Sequence, residues 1–148
     1  MGRIKGKSMR VGITGTREGM TEWQARELRH TLEGLAIFAG DSAEFHHGDC
    51  TGVDVEAAAI AKELGFKIIC HPPTSSEQQG HFGGDEVRPA KGYLERDRDI
   101  VDECEILLVV PLQMEWQPKG GTWYTHDYAK KQDKPVSIFW PEPLPWEG

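Results

Sequence analysis

The chain has 148 residues, which is enough for one domain with a single sizeable core. Asp and Glu outnumber Lys and Arg by 24 to 17, and the formal net charge of −7 opposes sequence-independent binding to a phosphate backbone. The three cysteines form no close pair, so we expect a cytoplasmic protein. No apolar run approaches the roughly 20 residues that cross a bilayer, so we expect no membrane partner. From the acidic net charge we expect no nucleic-acid partner.

The two ends of the chain differ in composition from the part between them. Residues 1–9 are basic and lack acidic side chains, which indicates either a short cationic arm or an expression remnant. Residues 10–140 carry the apolar periodicity of a folded domain. The tail at 141–148 is rich in proline and cannot be helical, so we expect it to lie extended on the surface with Trp146 packed against the domain.

Five apolar segments predict strands. The last three are nearly continuous apolar runs, typical of strands covered on both faces, and the second is placed mainly by its neighbours. In chain order they cover residues 10–14, 43–47, 67–70, 105–111 and 135–140.

Four helical patterns separate these strands. The first begins at a capping box formed by Thr21 and Gln24 and ends at Gly40. The second carries an apolar stripe over residues 53–64 and ends at Gly65. The third and fourth cover residues 93–104 and 122–132.

Alternating strands and helices predict an α/β fold, a Rossmann-like three-layer α/β/α sandwich with a mostly parallel sheet of about five strands. Ligands of such sheets bind beyond the carboxyl ends of the strands, near the switch in strand order. The long segment at residues 71–92 follows the third strand at that edge and is interpreted as either a lid or a mobile loop.

Three segments after predicted strands are rich in glycine and threonine: TGTREG (14–19), GDCTGVD (48–54) and KGGTW (119–123). Glycine lets a ligand approach the backbone, and N–H groups at a helix start suit an anion. None has P-loop spacing, and each alone could be a tight turn, but all three fall on one edge and together predict a phosphate site. The candidate ligand-binding residues in them are Gly15, Thr16, Arg17, Gly48, Asp49, Thr51, Gly52, Asp54, Gly120, Gly121 and Thr122.

Two further arginines, Arg96 and Arg98, lie at the start of the third helix. A guanidinium can hold phosphate in bidentate fashion, and we favour that role for Arg17. For Arg96 and Arg98 an ion pair with a neighbour such as Asp97 is an equal alternative, and both are kept as ligand-binding candidates.

Histidines and a cysteine near the second loop raise two other chemistries. Adjacent strand residues point to opposite faces of a sheet, so His46 and His47 cannot easily bind the same metal ion. Their spacing also matches no standard zinc pattern. We therefore predict that the protein binds no metal and no cofactor. Cys50 could be a nucleophile at a helix start, but a small residue in a crowded turn is the simpler interpretation. The other residues considered as metal ligands are Asp49, Cys50, His71 and His81.

Aromatic side chains also fall on or near the predicted ligand edge, where they could stack on a base or simply pack. They are Tyr93, Trp116, Trp123 and Phe82. Phe139 and Trp140 end the last strand and are assigned to the core.

These motifs resemble the SLOG superfamily of DprA-like and LOG-like domains over roughly residues 10–140. The most specific piece is residues 48–54 with the alanine-rich helix after it, where relatives carry GGARGAD or GLARGID. The resemblance implies binding of nucleotides or nucleotide-derived signals, with Gly15, Thr16 and Arg17 where relatives contact phosphate or ribose. It also implies a homodimer.

One departure from the superfamily bears on catalysis. Hydrolytic members continue the third turn as GTxxE, whereas this chain reads GGTWYTHDYA, so the expected glutamate is missing or displaced. Without that carboxylate, glycosidic cleavage loses its usual acid–base pair. We therefore expect a protein that senses or sequesters a nucleotide-derived small molecule. The alternative is a phosphoribohydrolase-like nucleotide N-glycosidase whose substitute carboxylate is Asp54, Glu95, Asp97, Glu115 or Asp127.

Overall fold

The computed structural model describes residues 8–147, so most of the predicted basic arm lies outside the described residues. The strands are β1 (Met9–Gly15), β2 (Ala43–His47), β3 (Lys67–Cys70), β4 (Glu86–Val87), β5 (Ile106–Val110) and β6 (Val136–Ile138). The helices are α1 (Glu22–Ala39), α2 (Val53–Glu63), α3 (Tyr93–Glu103) and α4 (Gly121–Lys131), with a short 3-10 turn at Gly40–Ser42. Within residues 8–147, no helix is long and apolar enough to cross a membrane.

The predicted Rossmann-like sandwich is confirmed, and its sheet has six strands where the sequence predicted about five. The strands pair in the order β4-β3-β2-β1-β5-β6, and every pairing is parallel. The additional strand, β4, lies within the segment at 71–92 that the sequence left without structure. It has two residues at the sheet edge, which is too short to produce a periodic pattern.

Apolar side chains cover both faces of the sheet. On one face Val11 and Ile13 pack with Leu28 of α1 and Ala57 of α2 in the larger core cluster. On the other face Leu107 and Val109 pack with α3 and α4. Side chains alternate across each strand, so these two clusters form the two interfaces of a three-layer sandwich.

The switch in strand order lies between β1 and β5. The chain moves outward from β1 through β2 and β3 to β4, then returns to the other side of β1 to form β5 and β6. The connections after β1 and β5 therefore diverge and leave a crevice beyond their carboxyl ends. The capping box predicted for α1 is present: the Thr21 hydroxyl accepts from Gln24 N–H, and the Gln24 amide oxygen accepts from Thr21 N–H.

Two peripheral segments differ from the simplest sequence expectation. Residues 71–92 are tied to the domain by β4 and by the Arg88 N–H, which donates to the Cys70 carbonyl at 2.8 Å. A bridge between Pro73 and Lys91 joins the two ends of the segment to each other. The tail is anchored by the Thr21 hydroxyl, which donates to the Pro141 carbonyl at 2.7 Å. Trp146 remains 79% exposed, so the packing expected for this side chain is wrong.

Candidate functional site

A cavity of about 440 Å³ opens beyond the carboxyl ends of β1 and β5. Its lining includes Gly15, Thr16 and Arg17 from the first loop, Cys50 and Asp54 from the second, and the turn at 119–123. Much of the remaining wall comes from α3 and from Leu112 and Gln113 after β5. The three segments predicted from the sequence therefore border one cavity at the strand-order switch.

The first two loops pack backbone against backbone. The Val53 N–H at the start of α2 donates to the Thr16 carbonyl at 3.0 Å. Gly52 has φ +84, and a Cβ there would overlap the carbonyl of Arg17. A Cβ at Gly15 would lie 2.5 Å from the Val53 side chain. These glycines are explained by close chain approach, which positions Thr16 and Arg17 at the cavity.

Asp54 stabilises the second loop from inside. Its Oδ2 accepts from the N–H groups of Gly48 at 3.0 Å and Cys50 at 3.3 Å. Burial raises the pKa of this carboxyl, while the nearby Arg96 guanidinium and the two N–H donors oppose the shift. Asp54 borders the cavity, yet the geometry gives it a clear structural role as the organiser of its own loop.

Asp49 and Thr51 point their polar groups away from the cavity, toward residues 78–83. The Asp49 carboxylate accepts from Phe82 N–H at 2.7 Å and from the Gln79 side chain at 3.1 Å. Thr51 N–H donates to the Gln78 carbonyl at 2.9 Å. Both residues were predicted to bind ligand, but the structure uses them to hold the segment after β3 against the second loop.

Arg96 lies in the cavity wall with most of its donors occupied. Its Nε donates to Asp97 Oδ1 at 2.7 Å, and Nη1 donates to the carbonyls of Gly48 and, at 3.3 Å, His71. Nη2 lies 3.6 Å from Cys50 Sγ. The side chain is only 5% exposed, so its main role is to join α3 to the ends of β2 and β3.

Arg98 lies outside the cavity lining. Its Nη1 donates to the Tyr124 hydroxyl at 2.8 Å, which joins α3 to α4. Residues two apart on a helix point about 200° apart, so Arg96 and Arg98 cannot face one site. Of these two arginines, only Arg96 lines the cavity.

Two cations at the cavity rim are free to meet a ligand. Arg17 and Lys119 are both exposed, and among the described residues neither side chain makes an ion pair or hydrogen bond. The Arg17 guanidinium lies 5.5 Å from the centre of the Tyr93 ring, a cation–π arrangement. Lys119 was missed as a candidate, although it belongs to the KGGTW segment that the sequence singled out.

The start of α4 adds backbone donors to the same cavity. Gly120, with φ +100, is the N-cap, and its lack of a side chain leaves the first turn uncapped. Among the described residues no acceptor receives the N–H groups of Gly121, Thr122 or Trp123. Unpaired N–H groups at a helix start carry partial positive charge and suit an anion.

Asp97 is a second buried cavity carboxyl with a raised pKa. Burial raises its pKa to about 6, against the opposing effect of its ion pair with Arg96 at 2.7 Å. A Cβ on Gly121 would lie 3.9 Å from Asp97 Oδ2, so this carboxyl is close to the start of α4. Of the other proposed substitute carboxylates, only Asp54 also lines this cavity, whereas Glu95, Glu115 and Asp127 do not.

The aromatic candidates separate into different roles. Tyr93 lines the cavity, with both Arg17 and Arg96 at 5.5 Å from its ring centre. Trp123 lines it too but is 97% buried and packs beside Trp140. Phe82 packs edge-on against His47, away from the cavity lining. The Trp116 indole N–H donates to the Asp127 carboxylate at 3.0 Å. Phe139 is buried in the larger core cluster.

The histidines form two separate groups on opposite faces of the sheet, as the strand geometry predicts. His46 lies with His71 and Glu103, and His47 lies with Asp49 and Cys70. The ring nitrogens of His47 are both occupied by backbone: Nδ1 accepts from Asp49 N–H at 2.9 Å, and Nε2 donates to the Gly83 carbonyl at 2.7 Å. Burial raises the pKa of the Cys50 thiol, which opposes the nucleophilic role considered for it.

Comparisons with known proteins agree with this fold. No protein-family model matches the chain, and no curated protein matches it. Among solved structures, the molybdenum cofactor binding protein from Rippkaea orientalis is similar, with 19% identity and a TM-score of 0.65 over 89% of this chain and 76% of that chain. The molybdenum cofactor carrier protein of Chlamydomonas reinhardtii is similar at 24% identity and a TM-score of 0.63, again over 89% and 76%.

DNA processing protein A (DprA) from Streptococcus pneumoniae is also similar, at 18% identity and a TM-score of 0.61. The match covers 88% of this chain and 50% of that chain, so this chain spans about half the length of DprA. These likenesses show that the chain shares the fold of these structures, which agrees with the fold that the motif resemblance predicted.

Proposed function

We propose that the cavity between β1 and β5 binds the phosphate group of a nucleotide-derived small molecule, which the protein senses or sequesters. One observation carries this proposal: the uncapped start of α4 opens onto the same cavity as the free cations Arg17 and Lys119. Oriented N–H groups and a guanidinium that can bind in bidentate fashion are the donors that phosphate prefers in proteins. They are gathered at one point of a chain whose formal net charge is −7.

The electrostatics of the cavity floor fit an anionic ligand. Buried Arg96 contributes a fixed positive charge behind the loops. The two buried carboxyls, Asp54 and Asp97, have raised pKa values, and Asp97 at about 6 is partly protonated in mildly acidic solution. In mildly acidic solution, repulsion between Asp97 and a bound phosphate is therefore smaller than for an ordinary carboxylate.

The remaining space fits the rest of a nucleotide. A volume of about 440 Å³ lies within the ordinary range of small-molecule sites, which is roughly 300–1,000 Å³. Tyr93 presents an aromatic ring beside Arg17, where a base or ribose could pack. The similar structures named for molybdenum cofactor binding support a small-molecule ligand for this fold, and the nucleotide class is the narrower part of the proposal.

Thermal shifts against nucleoside mono-, di- and cyclic phosphates and ADP-ribose derivatives test this function, with each mixture then separated by chromatography. A ligand that binds only the native state raises the melting temperature by mass action. A shift with the ligand recovered intact supports sensing or sequestration. If no member of the panel shifts the melting temperature, a nucleotide-derived ligand is contradicted.

A second candidate, nucleotide N-glycosidase, is favoured by the position of Asp97. A carboxyl with a pKa near 6 can act as a general acid or base close to neutral pH, and this one borders the proposed phosphate site. Release of free base from a nucleoside monophosphate by the wild type, but not by Asp97→Asn, would establish this activity. Intact nucleotide after long incubation, with binding confirmed, would exclude it for that substrate.

The homodimer implied by the superfamily resemblance is kept as part of this proposal. Light scattering of the eluted protein measures its mass directly. A mass near 16.6 kDa would contradict the dimer, and twice that value would support it.

A further inference from the structure

A second polar cluster lies on the α3 face of the sheet. His46 on β2 and His71, the residue after β3, are 0% and 2% exposed, and their ring atoms Nδ1 and Nε2 lie 2.9 Å apart. Glu103 at the end of α3 approaches both rings: its Oε1 is 4.0 Å from His46 Nδ1, and its Oε2 is 4.0 Å from His71 Nδ1. Two imidazoles and a carboxylate thus converge from three different elements.

A hydrogen bond from outside the cluster fixes the orientation and tautomer of His46, as is common for histidines that bind metals. His46 Nε2 lies 3.0 Å from Glu44 Oε1, and a carboxylate can only accept, so Nε2 carries the proton and Nδ1 presents its lone pair to His71. A carboxylate behind a histidine that fixes its tautomer is a regular feature of metal sites. Glu44 and His46 share a face because they are two residues apart on β2.

We propose that His46 Nδ1, His71 Nε2 and Glu103 Oε1 bind a divalent transition-metal ion, with Zn²⁺ as the best-fitting ion. Ligand atoms about 2.0–2.1 Å from Zn²⁺ in tetrahedral geometry lie about 3.3 Å apart. The two nitrogens must separate slightly, and Glu103, whose side chain is 34% exposed, must move inward. The neutral His71 ring changes tautomer: its proton moves from Nε2 to Nδ1 and stays there, hydrogen-bonded to the Glu103 carboxylate at Oε2, so no net proton is released.

Arg88 competes with the metal for the same carboxylate. Its Nη2 donates to Glu103 Oε1 at 2.7 Å, and its Nη1 donates to Glu86 at 2.6 Å. A metal must therefore displace one arginine hydrogen bond from Oε1. This competition predicts that removing the guanidinium strengthens metal binding, which a purely structural polar cluster would not do.

The neighbouring group of His47, Asp49 and Cys70 provides an internal contrast. Its histidine has both ring nitrogens occupied by backbone, as described above, whereas His46 Nδ1 faces only another side chain. We therefore assign the metal to the cluster of His46, His71 and Glu103. Because it would join β2, the end of β3 and α3, the bound ion would also stabilise the native state.

The test uses the full chain without an affinity tag, freed of metal with a chelator. Zn²⁺ is titrated in competition with a chromophoric chelator, and Co²⁺ is added separately for its visible spectrum. We expect one equivalent of metal, a higher melting temperature with Zn²⁺, and a tetrahedral Co²⁺ spectrum without a thiolate charge-transfer band. No saturable binding, or a thiolate band that points to Cys70, overturns the assignment.

Two surface variants keep the test independent of folding. Glu103→Gln should weaken Zn²⁺ binding by at least about tenfold, and Arg88→Ala should strengthen it. Glu105→Gln is the matched control, because Glu105 is a similarly exposed carboxylate that pairs with Arg10 instead. Exposed His30 is replaced by alanine to detect adventitious binding. Unchanged affinity in Glu103→Gln, or a loss that Glu105→Gln reproduces, contradicts the site.

Discussion

Arg17→Ala is expected to weaken binding of a nucleoside monophosphate while leaving the fold intact. A hydrogen bond to a charged group contributes about 1.5–3 kcal/mol, and about 1.4 kcal/mol corresponds to a tenfold change in affinity. Arg17 is exposed, so solvent screening places the expected loss near the lower end, about tenfold at physiological salt and more at low salt. The guanidinium has no ion pair among the described residues and only an exposed cation–π contact with Tyr93, so the free energy of unfolding should change by less than about 1 kcal/mol.

Arg26→Ala is the matched control for this change. Arg26 is also exposed and lies 5.7 Å from the centre of the Trp23 ring, much as Arg17 lies 5.5 Å from Tyr93, but it is outside the cavity lining. Titration calorimetry at two salt concentrations measures both variants against the wild type. Equal affinity of Arg17→Ala and wild type, or an equal loss in Arg26→Ala, would refute the role assigned to Arg17.

Three further predictions concern the scaffold of the site. Gly52→Ala should lower the free energy of unfolding by more than about 1 kcal/mol, because Gly52 has φ +84 and contacts the first loop. Gly34→Ala in α1, where the added Cβ meets open space, should raise that free energy by up to about 1 kcal/mol. Equal effects of the two variants in chemical denaturation would contradict this explanation. Asp49→Ala should release residues 78–83 and speed proteolytic cleavage there, so an unchanged cleavage map would contradict its assigned role. The folded-state pKa of Asp97, about 6, exceeds its ordinary value of 3.8, so ionisation of this carboxyl destabilises the fold as pH rises through that interval. The stability of the wild type relative to Asp97→Asn should therefore fall between about pH 4 and 6 and then level off. A rise in relative stability over this interval would contradict the assignment.

The layer architecture could be predicted because strand and helix periods alternate along most of the chain. The capping box at Thr21 follows from a local pattern, whereas the strand at 43–47 was placed mainly by its neighbours. The structure confirms both. The strand β4 could not be predicted, because two residues at an edge carry no period and their pairing with β3 depends on the whole segment after it. Its existence is decided by tertiary contacts rather than by local preference.

The sequence predicted which loops border the cavity, but it did not predict which of their side chains face that cavity. Asp49 and Asp54 are equivalent as sequence features, yet one holds the segment after β3 and the other caps its own loop. Arg96 and Arg98 differ only by their position around α3, which the packing of that helix determines. Lys119 was the detectable omission, since it begins one of the segments that the sequence identified.

The most direct measurement of the central claim compares each nucleoside monophosphate with its unphosphorylated nucleoside by titration calorimetry on the wild-type protein. If the start of α4, Arg17 and Lys119 bind phosphate, the monophosphate should bind at least about tenfold more tightly, and its advantage should shrink as salt is raised. Equal affinities for the two members of each pair, or no binding of any monophosphate, would contradict a phosphate site in this cavity.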